Sequence, residues 1–212
     1  WDAVGNDLHK RQSLEYPNSL GLFYSAMTQR CGLKPNEEEY ILMGMAALGN
    51  PKRFLRDLLD EFISLPNDDY EHAYRIKHNL HRGCTWWRPE LTSQQDFYDI
   101  AAATQAVYEM AFERALQQAV KTSSSKNLVL MGGCALNCSA NPIAYKYFDQ
   151  VWIMPAPGDS GSSIGAVLAH KKTHIDWSGP YLGYDMGYKT RNKDIVSYLL
   201  EHKMCGLARG RA

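Results

Sequence analysis

The stretch Leu128–Ala169, LVLMGGCALNCSANPIAYKYFDQVWIMPAPGDSGSSIGAVLA, decides the reading of this chain. It holds two short apolar runs, each closed by a glycine turn that opens a helix. The first run is Leu128–Met131, followed by Gly132-Gly133 and a helix expected over Ala135–Tyr147. The second is Val151–Met154, followed by Pro155, Gly158-Asp159 and Gly161, with a helix expected over Ser163–His170. Strand, glycine turn and helix twice over predict an α/β fold with two parallel strands joined by a right-handed crossover. Both turns then fall on one carboxyl edge. In open α/β sheets ligands bind at that edge, because helix N-termini and bare backbone amides converge there. Asp159 adds a carboxylate in the middle of the second turn, so the edge reads as a phosphate- or metal-binding crevice.

Working outward, the spacing predicts a hairpin around Gly5-Asn6-Asp7. A helix follows over Leu20–Cys31, with Asn18 or Ser19 as N-cap and Gly32 as its stop. Further helices are expected over Glu37–Leu48 and Pro51–Phe62, the latter with proline in its first turn. Tyr74–Leu80 alternates as a strand does, and Gly83–Pro89 reads as a loop. The longest helical signal is Ser93–Lys121, with Ile100, Thr104, Val107, Tyr108 and Ala111 on its buried stripe. Residues after His174 turn to Gly, Pro and Tyr and read as a linker. A helix is expected over Asn192–Lys203 and a strand start over Cys205–Ala208.

Composition narrows the function classes. Of the 212 residues, 45% are hydrophobic and 22% charged, and Lys+Arg and Asp+Glu balance at 23 each. That balance leaves no basic footprint for nucleic acid. No apolar run approaches the roughly 20 residues of a membrane-spanning helix. Five cysteines without a repeating framework suit free thiols and a cytoplasmic setting. A start at Trp1 and a stop at Gly-Arg-Ala suggest a section of a longer protein.

Four segments then carry a resemblance. They are YPNSLGLFYSAMTQRCGLKPNEEEYILMGMAALGNP at 16–51, GGCALNCSAN at 132–141, PAPGDSGSSIGAVL at 155–168 and GPYLG at 179–183. Together they resemble the O-carbamoyltransferase family of nodulation and antibiotic-tailoring enzymes. The resemblance implies an actin/Hsp70-like (ribonuclease H-like) ATPase fold of two lobes, with a mixed sheet and flanking helices. It places residues 1–178 in the second lobe. Residues 179–212 become a linker and the start of a C-terminal domain that forms carbamoyl-adenylate.

What the resemblance implies for chemistry is ATP-dependent transfer of a carbamoyl group. The group passes from carbamoyl phosphate through carbamoyl-adenylate to a hydroxyl of a sugar or natural product. Partners would be carbamoyl phosphate and the acceptor, with no nucleic acid or membrane, and a homodimer is an open assembly. The family's pair of metal-binding histidines would lie upstream, so this chain alone should be inactive and no catalytic residue is assigned in it. Many members carry lysine where this chain has Ile41, so a phosphate contact by that lysine does not carry over.

Each candidate site residue has a plainer role beside its functional one. Gly132 and Gly133 would let the backbone approach a nucleotide, or would only make a tight turn. Asn137, in the first turn of the next helix, could bond ribose or carbamoyl oxygen, or act as a capping residue. Gly158 and Gly161 are cofactor-binding by the resemblance, and Gly161 and Gly165 would let the helix approach sheet and ligand closely or would only pack helix on strand. Asp159 is a metal ligand by the resemblance, for a divalent ion such as Fe(II), or an ordinary helix cap. His170 and His174, four apart, lack the glutamate of a zinc-protease motif and lie roughly 16 Å along the helix from Asp159. Cys134 and Cys138 are expected to be buried thiols. His78, His81 and Cys84 suit no zinc knuckle. Trp86-Trp87, beside Arg82 and Arg88, would be a core anchor or a sugar-stacking lip. The competing functions are a sugar kinase or tRNA threonylcarbamoyl transferase on the same superfold, and a non-catalytic nucleotide-binding module.

Overall fold

The computed structural model describes residues 1–66, 72–173, 176, 179–181, 183–185, 187 and 189–211. The chain divides into two compact units, Trp1–Val167 and Leu168–Ala212. The first unit opens with a hairpin, β1 (Asp2–Val4) and β2 (Asp7–His9), turned by Gly5-Asn6 as its sequence predicts. Helix α1 (Leu20–Arg30) starts where the Ser19 hydroxyl accepts the Leu22 amide, and it stops at Gly32, whose φ is +78°.

Helices α2 (Glu39–Ala46) and α3 (Leu55–Glu61) follow, and with α1 they pack on α4 (Gln94–Thr122). Ser93 and Asp96 close a reciprocal capping box at the start of α4. The buried face of α4 alternates small and large residues: Ala101, Ala103 and Ala111 let neighbours approach, while Ile100, Val107 and Tyr108 fill the gaps. Phe23, Met27, Leu42, Leu58 and Phe62 complete this core.

Toward its C-terminal end α4 supports a second cluster. Leu116 packs there with Ala144, Phe148, Leu128, Leu130 and Val151. These last three lie on β5 (Asn127–Leu130) and β6 (Gln150–Ile153), which pair in parallel, Asn127 opposite Gln150 and Leu130 opposite Ile153. Side chains alternate across a strand, so Val129 and Trp152 face the other way and are 57% and 53% exposed. Helix α5 (Ser162–Lys171) follows β6.

Several expected elements differ. The helix expected over Ala135–Tyr147 is two 3₁₀ segments, Gly133–Leu136 and Asn141–Lys146. Asparagine competes for the backbone here: the Asn137 carbonyl oxygen accepts the Ala140 amide, the Asn141 amide donates to the Ala135 carbonyl, and Pro142 offers no N–H. The Pro51–Phe62 helix is interrupted at Phe54, whose ring is buried. Arg53, just before it, reaches back to Asp96 and Asp99 at the start of α4. The Tyr74–Leu80 strand shrinks to β4 (Arg75–Ile76), which pairs antiparallel with β3 (Ile63–Ser64).

In the second unit α6 (Asn192–His202) forms nearly as its spacing predicts, ending at Lys203 in the left-handed region. The strand expected at Cys205–Ala208 does not form; only an isolated bridge joins Asp185 and Arg211. No helix among the described residues is long and apolar enough to cross a membrane.

Candidate functional site

Because β5 and β6 run in parallel, both glycine turns emerge at the same edge, as the sequence pattern predicts. They also touch. The Gly132 amide donates to the Pro157 carbonyl at 2.7 Å, and a Cβ on Gly158 would sit 3.7 Å from the Gly133 Cα. Gly132 holds φ at +90°, a conformation side chains with a Cβ rarely adopt. Gly161 is required for another reason: a Cβ there would meet the Ala156 carbonyl oxygen at 2.1 Å. Its lack of a side chain lets α5 press against the loop after β6.

Gly133 differs from both. It is exposed, and a Cβ on it would meet nothing within 4 Å. Gly133 and Cys134 begin one 3₁₀ segment, and Asp159 and Ser160 begin another. Among the described residues none of these four amides donates to a backbone carbonyl. The first amides of a helical turn have no partner within it, so these four are oriented donors at one sheet edge.

Asp159 is exposed and caps nothing, since Gly158 occupies the N-cap position and no side-chain bond closes that turn. The plainer reading of Asp159 as a helix cap is therefore not what the turn shows. Among the described residues no group of three His, Cys, Asp or Glu is placed to hold a metal ion. Among the described residues Asp159 is thus a lone carboxylate, with no complete ligand set around it.

Asn137 turns the other way. Only 9% exposed, it forms a reciprocal amide pair with Gln105: Nδ2 donates to Gln105 Oε1 and accepts nothing, while Oδ1 accepts from Gln105 Nε2, both at 3.0 Å. Gln105 Oε1 also accepts the Tyr24 hydroxyl at 2.8 Å, and Gln105 Nε2 also donates to Glu109 at 2.8 Å. Tyr108 donates its hydroxyl to the Cys134 carbonyl at 3.1 Å. Burial pushes both phenols well above their ordinary range, so they stay protonated donors. This polar layer ties the first turn to α1 and α4. Sequence reasoning missed Gln105, although a glutamine between Ala101 and Tyr108 on the apolar stripe of α4 is itself a sign of a buried partner.

Other candidates resolve individually. Cys138 is exposed, contrary to the expectation of a buried thiol, because it lies in the turn between the two 3₁₀ segments rather than on a packed helix, and Cys134 is exposed as a residue. The Cys134 sulfur still faces inward, 3.5 Å from where a Cβ of Gly21 would lie, and this burial raises its pKa. Cys84 is buried, donates to the Ala26 carbonyl and is pushed up to about 12. His78 bonds Glu61 at 2.8 Å, and His81 is exposed. Trp87 is the core anchor, while Trp86 is 53% exposed. His170 lies exposed near the end of α5; His174 lies outside the described residues. Glu38 and Glu39 accept the Lys34 and Asn36 amides at 2.7 and 2.6 Å, a loop-fixing role.

The family described as Carbamoyltransferase N-terminus matches residues 1–168. An uncharacterized protein of Synechocystis sp. is 33% identical across 94% of this chain and 36% of its own length. Nodulation protein NolO of Bradyrhizobium diazoefficiens is 33% identical across 78% of this chain and 31% of its own length. Nodulation protein U of Rhizobium tropici is 29% identical across 59% of this chain and 25% of its own length. The chain therefore spans about a third of the length of the first two of these relatives.

Proposed function

The chain belongs to the carbamoyltransferase N-terminus family, and on that premise we propose that it supplies the ligand edge of an ATP-dependent O-carbamoyltransferase. In this reading the group passes from carbamoyl phosphate through carbamoyl-adenylate to a hydroxyl of a sugar or natural product. Residues 1–178 act as the second lobe of an actin-like transfer domain, and residues 179–212 lead into the adenylate-forming domain.

The observation that supports this reading best is the pair of interlocked glycine turns. They present the Gly133, Cys134, Asp159 and Ser160 amides together at one carboxyl edge. Oriented N–H groups at a sheet edge bind phosphoryl and carbonyl oxygens without reorganising. Gly132 and Gly161 fix the shape of the edge, while Gly133 and Gly158 keep it free of side chains. Asn137 acts from beneath by holding the turn in place. A divalent metal such as Fe(II), when bound by the whole enzyme, would supply Lewis-acid polarisation of a carbonyl. Asp159 would give one of its ligands.

The test uses the full-length protein carrying Gly133→Val. A Cβ at this position meets no neighbour, so the substitution leaves the fold intact while filling the space above the amides. Carbamoylated product should fall on the order of a hundredfold, the usual result of misplacing a reacting group by about 1 Å. Carbamoyl phosphate-dependent pyrophosphate release from ATP should persist. Equal loss of both steps in a folded variant refutes the division of labour, and unchanged transfer shows the edge to be structural only.

A further inference from the structure

Apart from the carboxyl-edge turns, α3 and the loop after Gly83 line an open cleft of about 430 Å³. Asp57, Asp60, Glu61, Trp86, Trp87 and Arg88 line it. That volume falls within the range of roughly 300–1,000 Å³ typical of small-molecule sites.

The loop is held more firmly than a connector needs. Arg30 on α1 is 7% exposed, and its hydrogen-bond acceptors among the described residues are backbone carbonyls rather than carboxylates. Its guanidinium donates to the carbonyls of Trp87 (2.6 Å), Arg88 and Leu91 (3.0 Å). Burying a cation without a counter-ion is costly. Here the cation fixes three carbonyls of the loop at 87–91. Arg88 in turn holds φ at +49°, unusual for a residue with a side chain. Such strain persists only where the surroundings enforce it, and it concentrates at ligand-holding segments.

The product of this arrangement is a fixed aromatic surface. Trp86 leans on Phe62 (ring centroids 5.7 Å apart) and on His78 (5.4 Å), and it keeps half its surface open to the cleft. Two of the cleft's three carboxylates are paired with arginines, Asp57 with Arg88 and Asp60 with Arg56 at 2.8 Å, and the third, Glu61, shares a hydrogen bond with the His78 ring at 2.8 Å. With two of the three carboxylates neutralised by arginines, the cleft has a reduced pull on a bare ion. Its carboxylate oxygens and guanidinium N–H groups nevertheless retain capacity for hydroxyl partners.

We infer that this cleft is a carbohydrate subsite, in which the apolar face of a pyranose ring stacks on Trp86 while its hydroxyls bond the paired carboxylates and Arg88. The inference does not depend on carbamoyl transfer, because it draws on a different set of residues.

Saturation-transfer NMR on the full chain tests it, with methyl β-glucopyranoside as probe, glycerol as a polyol without a stacking face, and tetramethylammonium as a cation. Ring C–H protons of the glucoside should receive saturation, and glycerol should not. Trp86→Ala should weaken glucoside binding about tenfold, the upper range of an aromatic contact. Trp86→Phe, which keeps an aromatic face, should retain most of it, and Asp159→Ala should leave it unchanged. Circular dichroism establishes that each variant is folded. Absence of transfer to the glucoside, binding that survives Trp86→Ala, or displacement of the glucoside by tetramethylammonium would each overturn the assignment.

Discussion

Replacing Asn137 with alanine separates a scaffold from a ligand contact. The substitution removes two hydrogen bonds to Gln105 at 3.0 Å and the side-chain acceptor of the Ala140 amide. The third loss is small, because the Ala140 amide also bonds the Asn137 backbone carbonyl, which alanine keeps. Gln105 is not stranded either: its oxygen retains the Tyr24 hydroxyl and its nitrogen retains Glu109. Two net bonds at about 0.5–1.5 kcal/mol each give a destabilisation of about 1–3 kcal/mol, short of the figure for a fully orphaned buried amide pair. Asn137→Asp should cost more, since a carboxylate oxygen would replace the donor facing Gln105 Oε1, which already accepts from Tyr24.

Equilibrium urea unfolding, followed through tryptophan fluorescence, measures this directly, and a double-mutant cycle with Gln105→Leu isolates the pair. The coupling should be about 1 kcal/mol or more, within the range for contacting residues. A change under about 0.5 kcal/mol for Asn137→Ala, the scale of an ordinary surface substitution, together with no coupling, would refute the scaffold role. Asn137 would then be free to serve a ligand.

Three other outcomes follow from the geometry. Gly161→Ala should destabilise the chain measurably in the same unfolding assay, because its methyl would lie 2.1 Å from the Ala156 oxygen, whereas Gly133→Ala should be tolerated. Acid should weaken the junction of α3 and α4. Ser93 and Arg53 hold the Asp96 carboxyl below its ordinary range, and at Asp99 the Asn50 amide and Arg53 outweigh a burial that acts upward. Folded-state pKa values below the unfolded ones mean that the stabilisation is complete above about 3.9 and is lost as pH falls through the folded values; Arg53→Met should shift the acid-unfolding midpoint upward. In the full-length protein Asp159→Ala should reduce divalent-metal content measured by elemental analysis, and unchanged stoichiometry would remove Asp159 from the ligand set.

The edge itself was legible in the sequence because its signals are local. Two apolar runs each closed by glycine encode strands and turns within a few residues, and parallel pairing follows from the connection between them. Less local features were hidden. The 3₁₀ path from Gly133 to Lys146 depends on Asn137 and Asn141 competing with helical hydrogen bonds, a contest that helical periodicity does not register. The pairing of Asn137 with Gln105 spans 32 residues, and only the packing of the first turn over α4 brings them together. Trp86 and Trp87 are adjacent in sequence, yet Trp87 is buried in the core and Trp86 is half exposed; the Trp87 carbonyl is held by Arg30, more than fifty residues away.

Partnered and unpartnered groups divide cleanly across the carboxyl edge. Gly132 gives its amide to Pro157, Gly161 yields its space to the Ala156 carbonyl, and Asn137 and Tyr108 anchor the first turn to α4. Each of these residues is explained by the fold. Gly133, where an added Cβ would meet nothing within 4 Å, and Asp159, exposed and capping nothing, have no such explanation among the described residues. If the turns served only to connect strand to helix, a capping side chain and a residue with a Cβ would be the more stabilising choices at these two positions. The chain instead spends its interactions beneath the edge and leaves the donors and the carboxylate facing outward. That is the distribution a preorganised ligand site requires, with a rigid support and an open face.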